Sequence, residues 1–295
     1  MRNHTLLTAT VLIFALLAVC FHFYVSDADY SFYNPKWNGG SAFSSILDEN
    51  DAVHVKPGEL SEYQDSMLLI LAPDTGFTTA DIQSLRVFLE NGNSVLVADE
   101  SGASNSLLMK LGSGMVLQKV SSLTSLDREF MSPEIIIVYS TDEDDPVLED
   151  VSSVVLNRPS VLTGGVPLIV TSEFTWIDLN GDWWVHRDEI MQTYTVFAKE
   201  DLSGGELYLL TDPSLFINSM VIKNPKDNRK LIENLLSSRR NLLIDSVHSG
   251  TERTGELTDL ILYMRNTIFI KVLSISLSVG AVLLLWRRRP EVLNE

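Results

Sequence analysis

The stretch Ser66–Ala98, SMLLILAPDTGFTTADIQSLRVFLENGNSVLVA, decides the fold. Its first seven residues form a continuous apolar run, short enough for a strand and suited to burial on both faces. Pro73-Asp74-Thr75-Gly76 then breaks the chain. Thr78 offers a capping hydroxyl, and Asp81 stands at the reciprocal capping-box position three residues on. Ile82, Leu85, Phe88 and Leu89 recur at helical spacing, and Gly92 ends the helix. SVLVA, residues 94–98, is the next strand. Strand, helix, strand predicts a parallel pair joined by a right-handed crossover.

The same pattern returns further along. ELYLLT (206–211) reads as a strand followed by Asp212-Pro213-Ser214. Asp227 caps a helix running through Ser237, with Leu231, Leu235 and Leu236 on one face. NLLID (241–245) is a strand ending in Asp245-Ser246-Val247-His248. The middle, about 130–200, is β-rich, with strands predicted at 135–139, 151–156, 167–171 and 193–198. The expected fold class is α/β: a doubly wound, mostly parallel sheet with extra, partly antiparallel strands.

In such a sheet ligands bind beyond the carboxyl ends of the strands. Polar clusters fall there: Asp74; Asp99, Glu100, Ser101 and Asn105; Asp212, Ser214 and Asn218; Asp245 and His248. Six of these, Asp74, Asp99, Glu100, Asn105, Asp212 and Asn218, are candidate ligand-binding residues. Ser101, Asp245 and His248 are candidates for a hydrolytic triad. Against that, Asp99 and Ala103 occupy the glycine positions of the nucleophile elbow G-x-S-x-G, and two acids beside Ser101 oppose an oxyanion. The alternative is that Ser101 caps the following helix while Asp99 and Asp212 hold loops.

Six blocks carry a family resemblance: 31–41 (SFYNPKWNGGS), 72–81 (APDTGFTTAD), 97–107 (VADESGASNSL), 211–219 (TDPSLFINS), 227–236 (DNRKLIENLL) and 245–248 (DSVH). In this order they resemble the family called domain of unknown function 4350, with an archaeal cast. The resemblance implies a class I glutamine-amidotransferase-like, flavodoxin-like fold in a membrane-anchored protein with no established reaction. It points to a component of a membrane complex, beside a transporter or ATPase-driven system. Amidotransferases carry a nucleophilic Cys on the strand-to-helix turn; here that turn reads Asp99-Glu100-Ser101-Gly102. The single Cys, Cys20, lies in an apolar segment, so thiolate chemistry is excluded.

Two apolar segments flank this core. Residues 5–25 contain no Asp, Glu, Lys or Arg, and residues 267–286 carry only Lys271. Each has the length of a bilayer-spanning helix. Arg2 precedes the first, and Arg287, Arg288 and Arg289 follow the second, so the positive-inside rule places both termini in the cytoplasm. The expected organisation is a cytoplasmic N-terminus (1–4), a transmembrane helix (5–25), an extracytoplasmic domain (26–266), a second transmembrane helix (267–286) and a basic tail (287–295). A cleaved signal peptide ending near Ser26-Asp27-Ala28 is the alternative for the first segment.

The formal net charge is −17, from 22 basic and 39 acidic residues. Five of the basic residues and two of the acidic ones lie outside 26–266, which leaves 17 against 37 and a domain charge of −20. So acidic a domain is excluded as a non-specific nucleic-acid binder. The expected partners are the lipid bilayer and proteins of a membrane complex.

Asp178, Asn180, Asp182 and Glu189 repeat the oxygen spacing of a calcium loop, with Glu189 at the twelfth position. Trp183 stands where that loop needs glycine, so an Asn-Gly turn with polar flanks is the alternative. Calcium is the one cofactor the sequence suggests. Residues 142–145 (DEDD) read as a solvated acidic loop or a second cation site, and Trp37, Trp176, Trp183 and Trp184 as core or turn residues or as an aromatic carbohydrate platform. The leading functional expectation is a non-catalytic binding or assembly domain. Its rivals are an extracytoplasmic hydrolase and a calcium-stabilised surface domain.

Overall fold

Residues 27–118 and 123–252 are described in a computed structural model of the chain. The helices are α1 (Ser41–Glu49), α2 (Thr79–Glu90), α3 (Asn105–Leu111), α4 (Asn218–Lys223) and α5 (Asn228–Ser237). The strands are β1 (Val53–Val55), β2 (Ser66–Leu71), β3 (Ser94–Ala98), β4 (Val116–Gln118), β5 (Leu123–Ser125), β6 (Ile135–Ser140) and β7 (Ser153–Asn157). They continue with β8 (Val161–Thr163), β9 (Val166–Thr171), β10 (Thr175–Ile177), β11 (Thr195–Leu202), β12 (Gly205–Leu210) and β13 (Asn241–Asp245).

Both strands of the opening stretch form as their sequence dictates. All six residues of β2 and all five of β3 are buried. Met67, Leu69 and Leu71 enter a core shared with Phe43 and Leu47 of α1 and with Leu231 and Leu235 of α5. Leu68 and Ile70 enter the other, with Leu85, Phe88 and Leu89 of α2 and Leu107 and Leu108 of α3. A period of two thus feeds two helical layers at once, and each fully buried Leu or Ile contributes about 1.5–3 kcal/mol. The capping box of α2 closes as expected: the Asp81 N–H donates to Thr78 Oγ1 at 3.2 Å and the Thr78 N–H to Asp81 Oδ2 at 2.8 Å.

The main sheet runs β1-β13-β2-β3-β12-β11-β9-β6-β7, with β8 and β4 joined through β11, and β5 and β10 form a separate pair. The pairings β1–β13, β13–β2, β2–β3 and β3–β12 are parallel. Those of β11 with β12, β9 and β8, of β6 with β7 and β9, of β4 with β8, and of β5 with β10 are antiparallel.

The expected fold class is corrected here on two counts. The sheet is mixed, with antiparallel pairs in the majority, rather than mostly parallel. The cause is the hairpin between β11 and β12, whose loop Ser203-Gly204 has φ of +57° and +99°. Two left-handed residues make the tight turn that reverses a strand on its neighbour. β12 runs parallel with β3, so β11 opposes the parallel set, and β9, β6 and β7 then alternate in direction beyond it. Second, no helix among the described residues is long and apolar enough to cross a membrane. The flanking transmembrane helices therefore form no part of the fold found. The expected spans 5–25 and 267–286, with the tails 1–4 and 287–295, lie outside the described residues.

Candidate functional site

The carboxyl ends of β13, β2, β3 and β12 lie along one edge of the sheet, where each strand gives way to a polar turn. After β3, buried Asp99 organises the whole turn. Its Oδ1 accepts from the Ser101 N–H (2.7 Å), the Ser101 hydroxyl (2.8 Å) and the Gly102 N–H (3.2 Å). Its Oδ2 accepts from the Ser104 N–H (2.7 Å) and hydroxyl (2.6 Å). The Ser101 proton is thereby directed at Asp99, and the Ser101 oxygen accepts from the Ala103 N–H at 3.2 Å. Asn105 pairs with the backbone of Leu117 in both directions, at 2.8 and 2.9 Å, and so holds β4.

After β13, His248 is 1% exposed and clamped between two carboxylates. Its Nδ1 lies 2.7 Å from Asp245 Oδ2 and its Nε2 3.4 Å from Asp81 Oδ2, and its ring stacks on Phe77 at 4.0 Å. Burial opposes a charge on the ring, yet the bond to Asp245 and the charges of Asp245 and Asp81 raise it above an ordinary histidine. Asp245 Oδ1 accepts from the Val247 and His248 N–H groups. The structure therefore joins His248 and Asp245 with Asp81, not with Ser101. A base with both nitrogens on carboxylates and a serine bonded to another acid are not poised for nucleophilic attack. Asp74 is exposed and accepts from the Thr75 hydroxyl at 2.9 Å.

Two of the expected ligand residues do converge. Asp212 is fully buried; its Oδ1 accepts from the Ser214 N–H at 2.7 Å and its Oδ2 from the Asn157 N–H at 2.5 Å. Burial, and next the charge of Glu100, push its carboxyl up to about 7. Burial also raises Glu100, which accepts from the Tyr30 hydroxyl at 2.8 Å. Burial and the charges of Asp212 and Glu100 hold the Tyr30 phenol well above its ordinary range. Tyr30, with φ of +63°, is a member that the strand-end reading missed, because it precedes the first strand. A small cavity of about 10 Å³ lies beside it, lined by Tyr30, Phe32, Leu71, Pro213, Phe216 and Thr251.

Asn218 has a different task. Its Nδ2 donates to the carbonyls of Asn34 (3.0 Å) and Lys36 (2.6 Å), and its Oδ1 accepts from the Ala42 N–H (2.7 Å). The Ser219 N–H donates to the Trp37 carbonyl at 3.0 Å. The N-terminus of α4 thus fixes the 34–42 loop, and Trp37 projects from it 68% exposed. Beside Trp37 opens a groove of about 420 Å³, lined also by Phe130, Glu134, Ile135, Asn157, Arg158, Ser219, Met220 and Lys223. Asn157 connects the two features, since it lines the groove and its N–H holds Asp212.

The calcium-like spacing folds into a different object. Asp178 is buried, and its two oxygens accept from the N–H groups of Gly181 (2.7 Å) and Trp183 (2.9 Å). Glu189, also buried, accepts from those of Leu179 and His186, both at 2.8 Å. Asn180 accepts from the Asp182 N–H, and Asp182 from the Trp184 N–H, while Asp182 Oδ2 lies 2.8 Å from His186 Nε2. Trp183 adopts φ of +67°, the left-handed conformation that a calcium loop reserves for glycine. Among the described residues, no group of three or more His, Cys, Asp or Glu is placed to hold a metal ion. These oxygens already receive N–H donors, so calcium or a chelator is expected to move the thermal midpoint by less than about 1 °C. Differential scanning calorimetry in each condition checks this; a clear rise with calcium would restore the cation site.

The acidic loop 142–145 is only partly solvated. Asp145 is buried, caps Pro146–Leu148 through the Val147 N–H (3.0 Å) and meets Lys199 Nζ at 2.5 Å.

Comparison with known proteins adds a family and little chemistry. Among solved structures the chain is similar to the mmIFT52 N-terminal domain (13% identity, 66% of this chain and 86% of that one, TM-score 0.48). It is also similar to cytoplasmic protein STM1381 from Salmonella typhimurium LT2 (11%, 68% and 87%, TM-score 0.39). A β-galactosidase from Bacillus circulans sp. alkalophilus matches at 11% identity over 61% of this chain and 23% of that one, TM-score 0.36. No curated protein matches. The family model for a domain of unknown function (DUF4350) matches residues 33–236, and the chain belongs to that family.

Proposed function

We propose that this domain is a non-catalytic binding and assembly module, an amidotransferase-like relative without the chemistry. One observation carries the reading: the loop between Asp178 and Glu189 is built to display apolar side chains. Two buried carboxylates fix its backbone from within, while Leu179, Trp183, Trp184 and Val185 stand 45–75% exposed, with Ile190 at 68% just beyond. Trp183 is held in the left-handed region, which costs a β-substituted residue about 1 kcal/mol or more. Strain maintained for the sake of an exposed tryptophan fits a binding surface better than a passive turn. Exposed aromatic clusters of this kind mark protein interfaces, where Trp is over-represented among the residues that matter. The polar strand ends fit the same reading, because Asp99, Asp245 and Asn105 all serve internal hydrogen bonds.

The test is site-specific photo-crosslinking of the full-length chain in its native cells. A benzophenone amino acid at Trp184 is expected to give a discrete protein adduct that disappears with Trp183→Ala. The same probe at Glu62, an exposed position elsewhere, is expected to give none. Equal adducts at both positions, or none at Trp184, would remove the loop as a partner surface. Trp183→Ala itself is expected to change stability little, since the side chain is half exposed.

A further inference from the structure

The groove beside Trp37 combines three chemistries. Its aromatic walls meet solvent, Trp37 at 68% and Phe130 at 47% exposure. Asn157 and Ser219 add an amide and a hydroxyl, and among the described residues neither side chain makes a hydrogen bond to protein. Two cations complete it. Arg158 is held by Glu134, with Nε and Nη2 at 2.6 and 2.5 Å from the same oxygen. Lys223 lies 4.8 Å from the Phe130 ring centroid and joins no ion pair among the described residues. On a chain of net charge −17, this is a local positive spot open to solvent.

The site is also preformed. Asn218 and Ser219 pin the Trp37 loop from behind, and Phe130, Met131 and Arg158 all hold positive φ, at +55°, +57° and +59°. Such strain persists only where the surroundings over-determine it, and a rigid site loses little on binding. The volume, about 420 Å³, is that of a small-molecule site.

The mixture selects among anions. Inorganic phosphate would use Lys223 and leave the aromatic walls idle. An aromatic carboxylate would use the walls and Lys223 but not the amide and hydroxyl. A sugar with a carboxylate uses all three: its apolar C–H face on Trp37, its hydroxyls on Asn157 and Ser219, its carboxylate on Lys223. We propose that this groove binds a uronic acid residue of an acidic saccharide. The site is distinct from the loop around Trp184 and stands or falls without it.

Calorimetric titration of the full-length chain with D-glucuronate, D-glucose, benzoate and inorganic phosphate tests this. Glucuronate is expected to bind about tenfold more tightly than glucose, the effect of one charge-assisted hydrogen bond, and benzoate and phosphate more weakly still. Lys223→Gln is expected to reduce glucuronate to the level of glucose and leave glucose unchanged. Trp37→Ala is expected to weaken both sugars about tenfold. Both side chains are exposed, so an unchanged thermal midpoint verifies that the variants fold. Absence of saturable glucuronate binding, equal binding of glucose, tighter binding of benzoate or phosphate, or full affinity in Trp37→Ala would each overturn the proposal.

Discussion

Asp99→Ala is expected to destabilise the domain by about 3–5 kcal/mol, while Ser101→Ala costs less than about 1 kcal/mol. The contrast follows from the hydrogen bonds. Asp99 is 1% exposed and receives five donors, from the backbones of Ser101, Gly102 and Ser104 and the hydroxyls of Ser101 and Ser104. Removing the carboxylate leaves several of those donors without an acceptor, the two on buried Ser104 above all, and each buried orphan costs about 1–3 kcal/mol, while water relieves those on exposed Ser101. Removing the Ser101 hydroxyl takes away one donor from an acid that keeps the rest. Asp99→Asn, with one acceptor oxygen instead of two, should fall between. Urea unfolding of the three variants checks the order. Equal losses for Asp99→Ala and Ser101→Ala would show that Asp99 does not organise the turn.

The second large effect is a pH dependence seated at Asp212. Its folded carboxyl titrates at about 7 against 3.8 in the unfolded chain. Between those values the folded protein keeps a proton that the unfolded chain has lost, so stability falls as pH rises through the window. The stabilisation is fully present below about pH 4 and gone above about pH 7. A displacement of about three units corresponds to roughly 4 kcal/mol, from about 1.4 kcal/mol per unit. Asp212→Asn cannot titrate, so the stability of wild type relative to this variant should shrink by about that amount between pH 4 and 8. Asn presents one acceptor oxygen to two N–H donors, which lowers its stability by an amount that does not vary with pH. Glu100→Gln removes a neighbouring charge and should shift the window to lower pH. Unfolding midpoints across the range check both. A pH-independent difference between wild type and Asp212→Asn would contradict a raised carboxyl.

How much of this could be read beforehand depends on the range of the interactions. The strand-helix-strand unit over 66–98 is local: its capping box and apolar periods are complete within the segment, and β3 has the predicted bounds. The reversal after β12 is also encoded locally, in Ser203-Gly204, but its consequence depends on which strands become neighbours, and no spacing reports that. The polar strand ends were visible as a set, yet their roles were not. Asp99 and Asp178 look alike in sequence to acids that face a ligand, because the direction of a carboxylate is set by where backbone N–H groups fall in three dimensions. Trp37 reads from the sequence as a core or turn residue, with an aromatic carbohydrate platform as the alternative. Phe130, Arg158 and Lys223 carry no mutual spacing and meet only because the hairpin of β6 and β7 folds beside α4.

The position of β13 has a consequence for how the chain assembles. It enters the sheet between β1 and β2, which are near neighbours in sequence, although it is synthesised about 170 residues after them. β12 likewise reaches β3 only after the whole antiparallel portion has been made. Both edges of the β2–β3 pair therefore stay open until the last third of the described chain arrives, and loop closure over such distances is slow. A ribosome-bound or truncated chain ending before Gly205 exposes two bare parallel strands that are apolar beyond their first serines, the kind of edge that invites aggregation. For this protein the vulnerable period is synthesis itself, and it ends when residues 241–245 close the gap beside β2.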